Sequence, residues 1–252
     1  MVDVKSALVV AAAVLLTSCS APEYRPSTGV RPSAGPVSPD PRVGAVFVDG
    51  SELHTCTGSV LRSPAGDLIL TAAHCLSDGD DAVFVPGYGA GPTARDGWQI
   101  DAVFFDTRWL DGRDPAADYA VARVSRDDGV PLASVAGDGL DVGAAPGPGK
   151  EVTVIGYPSG AGGPQVCRAP AVPERQGFPT LHCDGVVNGF SGAPWISGGT
   201  VTGLIGGLDG GGCADEVSFS PPFDQRLAEL VARAQAGGPG DEVSAPFDDG
   251  CP

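Results

Sequence analysis

Short apolar or β-branched runs recur between turn signals along most of this chain: Gly44–Val48, Ser59–Leu61, Leu68–Leu70, Ala82–Val85, Ile100–Phe105, Tyr119–Val124, Val152–Ile155 and Val201–Ile205. That pattern predicts strands of a meander or barrel. The punctuation is heavy, with 38 glycines and 24 prolines in 252 residues, and it favours β architecture over a helical bundle. A hydrophobic share of 42% is enough to bury a core, as one large all-β domain or two small ones. One segment departs from the strand pattern. Between Asp224 and Ala234, Leu227, Leu230 and Val231 fall at helical spacing, which predicts a C-terminal helix.

The two ends read differently from the middle. Ala7–Leu16 is an unbroken apolar run behind Lys5, too short to span a bilayer and suited to the core of a secretory signal. It ends in Leu16-Thr17-Ser18-Cys19, which resembles a bacterial lipobox, so residues 1–18 are expected to be a signal peptide and Cys19 a lipidated N-terminus; ordinary cleavage nearby would leave Cys19 unmodified. Residues 19–42 are rich in Pro, Ser and Gly and are expected to form a flexible stalk. Residues 237–252 form an acidic Gly/Pro-rich tail, loose unless Cys251 pins it.

Composition also removes some functions. With 31 acidic residues against 15 basic ones and a formal charge of -16, the chain lacks the cations that displace counterions from phosphate, so no nucleic-acid partner is expected. An odd cysteine in a secreted chain needs its own explanation, and setting Cys19 apart from the seven leaves Cys56, Cys75, Cys167, Cys183, Cys213 and Cys251 as a disulfide set. None of these forms a CxxC pair and the three histidines are scattered, so no metal site is expected.

The chemistry sits in three places. Thr71-Ala72-Ala73-His74-Cys75 follows the strand Leu68–Leu70, putting His74 at a strand end where the chain turns, a suitable place for a general base. Asn188-Gly189-Phe190-Ser191-Gly192-Ala193-Pro194-Trp195 is a turn in which glycines would let the backbone approach a substrate, with Ser191 as nucleophile candidate. Asp118 opens the apolar strand Tyr119–Val124 between them; Asp111 and Asp114 lie nearby among Gly and Pro, and Asp114 is the substitute.

These segments resemble the chymotrypsin-like, trypsin-related serine peptidases of bacterial secreted type: TAAHC, a GDSGGP-like turn and a DIAL-like strand, in the order His, Asp, Ser, over about Val43 to Ala234. The resemblance implies two packed six-stranded antiparallel barrels closed by a C-terminal helix, a peptidase domain over 43–236, and a His74, Asp118, Ser191 triad with the active site between the barrels. It implies oxyanion donors at the backbone N–H groups of Gly189 and Ser191, a polypeptide substrate and no cofactor. A Cys56–Cys75 bridge would hold the histidine loop, contributing about 3 kcal/mol. Cys167–Cys183 would leave Cys213 with Cys251, with Cys183–Cys213 as the alternative. Any membrane contact would come through the lipid on Cys19, outside the cell.

Departures from the family pattern are specific. Phe190 stands where trypsin has the acid that receives the freshly cut N-terminus, so activation through that ion pair is not expected; Ala193 adds a methyl in place of glycine. Gly206 replaces a serine that helps to hold the catalytic acid, and with Gly207 it would leave one wall of the substrate pocket open. Gly185 stands where trypsin selects basic residues, with Asp184 one place off and read as a turn residue. His54 matches a structural histidine, and His182 is expected to be exposed. Val154–Pro158 is similar to a strand and turn of glutamyl endopeptidase-like members. The competing expectation is an inactive relative that keeps the barrels as a surface binding module.

Overall fold

A computed structural model describes residues 31–76, 81–89, 93–214 and 216–242. The expected signal peptide, Cys19, the stalk up to residue 30 and Cys251 lie outside the described residues. Among the described residues fourteen strands occur in chain order: β1 (Gly35–Pro36), β2 (Val43–Val48), β3 (Cys56–Val60), β4 (Leu68–Thr71), β5 (Ala82–Pro86), β6 (Trp98–Phe105), β7 (Ala120–Ser125), β8 (Asp141–Val142), β9 (Glu151–Gly156), β10 (Gln165–Arg175), β11 (Phe178–Leu181), β12 (Pro194–Ser197), β13 (Thr200–Leu204) and β14 (Ser218–Phe219). Helices α1 (Thr107–Gly112), α2 (Ala133–Ala136) and α3 (Gln225–Ala236) complete the framework.

The first half closes as a six-stranded barrel in the order β2-β3-β4-β7-β6-β5. Its interior holds Val46, Ile69, Phe84, Trp98, Phe105 and Trp109. The other half, where the resemblance implies the second barrel, forms an eight-stranded sheet, β14-β11-β10-β9-β12-β13-β8, with β1 added on β10. Strands β1, β8 and β14 are two residues long, and between β13 and β14 the chain turns through Leu208–Gly211 with Gly207 and Gly210–Gly212 at positive φ. Val152, Val154, Leu181, Phe190 and Trp195 make the core of this half.

Helix α3 forms where the spacing predicts it. The Asp224 side chain caps it by accepting from the Arg226 N–H at 2.8 Å, and Leu227 and Leu230 are buried in a cluster with Leu70, Phe104, Tyr119 and Leu204. Among the described residues no helix is long and apolar enough to cross a membrane.

Both ends of the domain extend further than the sequence suggests. Residues 31–42, expected as stalk, lie against the sheet: Gly35 pairs with Val166 and Pro36 with Gln165. Backbone hydrogen bonds do not depend on side-chain apolarity, which is why a Pro/Ser composition did not reveal them. In the tail, Asp241 accepts from the Phe105 N–H at 2.8 Å and pairs with Arg233 at 2.6 Å.

Candidate active site

Strand register brings the first two side chains together. β4 pairs with β7 so that Thr71 lies opposite Ala120. His74 follows Thr71 in a single 3₁₀ turn, Ala73–Leu76, and Asp118 precedes Ala120 after another, Pro115–Ala117. Asp114 caps that second turn, its Oδ1 accepting from the Ala116 N–H at 2.9 Å. The Cys56–Cys75 disulfide ties the histidine turn to β3.

Asp118 is fully buried, and three donors reach its two oxygens. Oδ2 accepts from His74 Nδ1 at 2.8 Å and from the Gly207 N–H at 2.8 Å; Oδ1 accepts from the His74 N–H at 3.0 Å. Burial alone pushes the carboxyl upward, but attraction to His74 and these hydrogen bonds outweigh it and hold the group below the usual carboxylate range. A carboxylate facing Nδ1 makes that nitrogen the donor, so Nε2 of the neutral ring carries the basic lone pair. The Gly207 N–H supplies the support expected from a serine at 206. A Cβ on Gly206 would stand 3.0 Å from Asp118 Oδ2 and 2.8 Å from Leu204 Cδ1, leaving little room for one.

Ser191 sits on a turn stitched to the first barrel. Its carbonyl accepts from the Thr57 N–H at 2.8 Å, and the Thr57 hydroxyl donates to the Gly189 carbonyl at 2.8 Å while accepting from the Tyr157 N–H at 2.9 Å. The Asn188 carbonyl accepts from the Ser159 N–H at 2.8 Å. Gly189 has φ +96, and a Cβ there would collide with Ser159 N and the Tyr157 carbonyl. The N–H groups of Gly189 and Ser191 donate to no acceptor among the described residues. Two donors left open beside a serine can receive an oxyanion.

Phe190 is wholly buried in the core of the second sheet, over Gly156, where any Cβ would strike its ring. Apolar packing thus anchors the serine turn where an ion pair would otherwise do so. Ala193 is also fully buried, and its N–H donates to the Phe190 carbonyl at 2.7 Å.

His74 and Ser191 open onto a cleft of about 510 Å³ whose walls include Ser159, Val186, Asn188 and Ile205. Gly210–Gly212 and Asp209 form another side, with Ser218 behind. Gly206 and Gly207 lie at Asp118, and Gly185 lies against Ala34. The Asp184 carboxylate pairs with Arg31 at 3.3 Å, as a structural rather than a cleft residue. Thr57 and Asp209 are scaffold and cleft residues the sequence did not single out, while Asn188 opens the serine-turn motif and lines the cleft.

His54 is buried among Phe47, Tyr88 and Tyr157, with Nε2 on the Gly162 carbonyl at 2.9 Å and Nδ1 without a partner among the described residues. Burial pulls its pKa below the usual histidine value. His182 is exposed. Cys167 bonds to Cys183, which removes the Cys183–Cys213 alternative; Cys213 is disulfide-bonded too, and its expected partner Cys251 lies outside the described residues. Cys56, His74 and Cys75 lie close enough to suggest a metal cluster, but the two sulfurs are consumed in their own disulfide.

A trypsin-like peptidase domain matches residues 56–204. No curated protein matches the chain. Among solved structures, the fold is similar to protease Anisep from Arthrobacter nicotinovorans, at 22% identity and a TM-score of 0.68 over 82% of this chain and 100% of that one. It is similar to the thermostable serine protease AL20 from an extremophilic microorganism, at 23% identity and 0.66 over 79% and 99%. Human heparin binding protein shares the fold at 16% identity and 0.64 over 83% and 98%. With a closed barrel, a second sheet and a domain match over more than half its length, the chain belongs to the trypsin-like peptidase domain family.

Proposed function

We propose that this protein is an exported serine endopeptidase whose triad is His74, Asp118 and Ser191. The observation that carries the reading is the buried Asp118 carboxylate on Nδ1 of His74 at 2.8 Å, with His74 lining the same cleft as Ser191. Ser191 Oγ attacks a peptide carbonyl while His74 Nε2 takes its proton. The oxyanion rests on the Gly189 and Ser191 N–H groups, and Asp118 stays ionised to stabilise the imidazolium. His74 then returns the proton to the leaving amine; water, deprotonated by the same nitrogen, bonds to the acyl carbon, and His74 passes that proton to Ser191 Oγ as the Oγ–acyl bond breaks and the acid leaves. Every proton in this sequence of steps moves through side chains of the chain itself.

Export is supported by the Cys56–Cys75 and Cys167–Cys183 disulfides, a kind of bond that persists in oxidising surroundings. Anchoring through a lipid on Cys19 is part of the proposal, and the mass of the mature N-terminal peptide would test it. The second reading is an inactive surface binding module. A fold neighbour is named for heparin binding, but a charge of -16 disfavours a polyanion here.

Labelling by a fluorophosphonate probe tests the enzyme reading. The wild type should label, and Ser191→Ala and His74→Ala should lose the reaction, since removing either group typically costs about a million-fold in turnover. A folded, correctly bridged wild type that does not label would leave the binding module as the surviving reading.

A further inference from the structure

We infer that residues Arg31–Val37 form a positioning strap that holds the serine turn in its working geometry. The strap touches two of the segments that line the second-sheet side of the cleft. At Asp184, the Ala34 N–H donates to the Asp184 carbonyl at 2.8 Å, the Asp184 N–H donates to the Pro32 carbonyl at 2.8 Å, and the Arg31 guanidinium meets the Asp184 carboxylate at 3.3 Å. Ala34 also packs against the core that contains Phe190. Further along, Gly35 and Pro36 pair with β10, and the Val37 N–H donates to the Pro164 carbonyl at 3.1 Å.

Asp184 leads directly into the Val186–Ser191 turn, and Pro164 ends the loop that begins at Tyr157. These two segments meet at the cleft, where the Ser159 N–H donates to the Asn188 carbonyl. The strap therefore fixes both segments at their outer ends while their inner ends present Asn188, Gly189 and Ser191. Beyond Val37 the chain passes through the Asp40–Arg42 ion pair into β2, so the same segment joins the second sheet to the first barrel.

Each contact is weak alone: the Arg31–Asp184 pair is half exposed and adds little. Together they fix the backbone leading to two N–H groups that must point at one atom, and a displacement near 1 Å at such a place can cost about a hundred-fold in rate. A strap that opens more easily than the barrel would then control the turn without unfolding the domain.

The test uses the full chain with Ala34→Pro and Val37→Pro together, which removes the donors to Asp184 and Pro164 and alters only partly buried side chains at the margins of the cores. Arg31→Ala is the control. Two readings are taken: fluorophosphonate labelling rate, and hydrogen exchange of the segments 157–164 and 184–192 compared with β2–β7. The labelling reading rests on the proposed role of Ser191; the exchange reading does not.

The expected result is labelling slowed at least about ten-fold, faster exchange in both cleft segments, and unchanged protection in β2–β7, with Arg31→Ala within about two-fold of wild type. Labelling at the wild-type rate while residues 31–37 exchange freely would overturn the inference. So would a uniform rise in exchange across the chain, which is what a merely structural strap gives. If the prolines leave the strap seated, internal deletion of residues 31–37 is read by the same criteria. A wild type that does not label refutes the peptidase proposal, and the exchange comparison still decides the strap.

Discussion

Replacing Asp118 by asparagine isolates what the buried carboxylate does. Three donors point at it: His74 Nδ1 at 2.8 Å, the His74 backbone N–H at 3.0 Å and the Gly207 N–H at 2.8 Å. An amide has one acceptor oxygen, so no orientation of the introduced side chain satisfies all three. With NH₂ in place of Oδ2, the Gly207 N–H faces another donor, and His74 must turn its Nδ1 lone pair toward the amide, which puts the proton on Nε2 and removes the base. With NH₂ in place of Oδ1, the tautomer survives but the His74 N–H loses its acceptor and no charge stabilises the imidazolium. Either way a buried donor is orphaned at about 1–3 kcal/mol.

The expected outcome of Asp118→Asn is a loss of that size in urea unfolding and a fall in turnover on the order of 10⁴, read as the fluorophosphonate labelling rate. Asp114→Asn should stay within about two-fold, because Asn caps a turn as well as Asp does and the Asp114 carboxylate bonds within its own turn. The pH dependence has a fixed sign. A carboxyl held below its usual range stabilises the fold above about pH 4, and that contribution disappears as pH falls through its folded value. The stability gap between wild type and variant should therefore narrow in acid. Labelling of Asp118→Asn within about ten-fold of wild type at equal stability would refute the reasoning, as would an Asp114→Asn defect of equal size.

His54 should produce an acid-side loss of stability at higher pH. Its folded pKa is depressed by burial, so stability is complete above about pH 6.5 and declines as pH drops toward the folded value; His54→Gln should flatten that limb in a series of urea titrations. Phe190→Ala should cost about 3–5 kcal/mol by opening the second core, and thermal unfolding within about 1 kcal/mol of wild type would contradict its role as anchor. Cys56→Ser with Cys75→Ser removes a cross-link between residues 19 apart and should cost about 3 kcal/mol in equilibrium unfolding.

The strands of the first barrel could be read from the sequence because their side chains report their surroundings: Val43–Val48 and Leu68–Thr71 are apolar on nearly every residue and buried that way, and Ala120–Ser125 buries its apolar residues while Ser125 is exposed. The same is true of His74 and Asp118, each placed at the end of such a run. The longest strand, β10, escaped because Pro170 and Pro173 interrupt it, yet it pairs with β9 from Gln165 to Pro170. Thr57 escaped for another reason. Its hydroxyl bonds to Gly189, 132 residues away, and nothing local in the chain announces a partner so distant. The strap escaped because its bonds are almost all backbone, and a Pro/Ser composition speaks only of side chains.

The departures from the family pattern bear on whether the site is built to work. Loss of an acid before the serine would leave the turn unanchored if nothing replaced it, but Phe190 fills that place with a fully buried ring, and Gly156 is small where the ring needs space. Loss of the serine at 206 would leave Asp118 short of a donor, but the Gly207 N–H occupies that lone pair and Gly206 leaves no gap. Folding alone does not call for a buried carboxylate paired with a histidine, because apolar residues of similar volume in place of such a pair are often neutral or stabilising. Here the carboxylate is present, held below the usual carboxylate range and aimed at His74, while two N–H groups beside Ser191 are left open among the described residues. Open N–H donors gain nothing for folding and serve acyl transfer, which is why the peptidase reading outweighs the binding module.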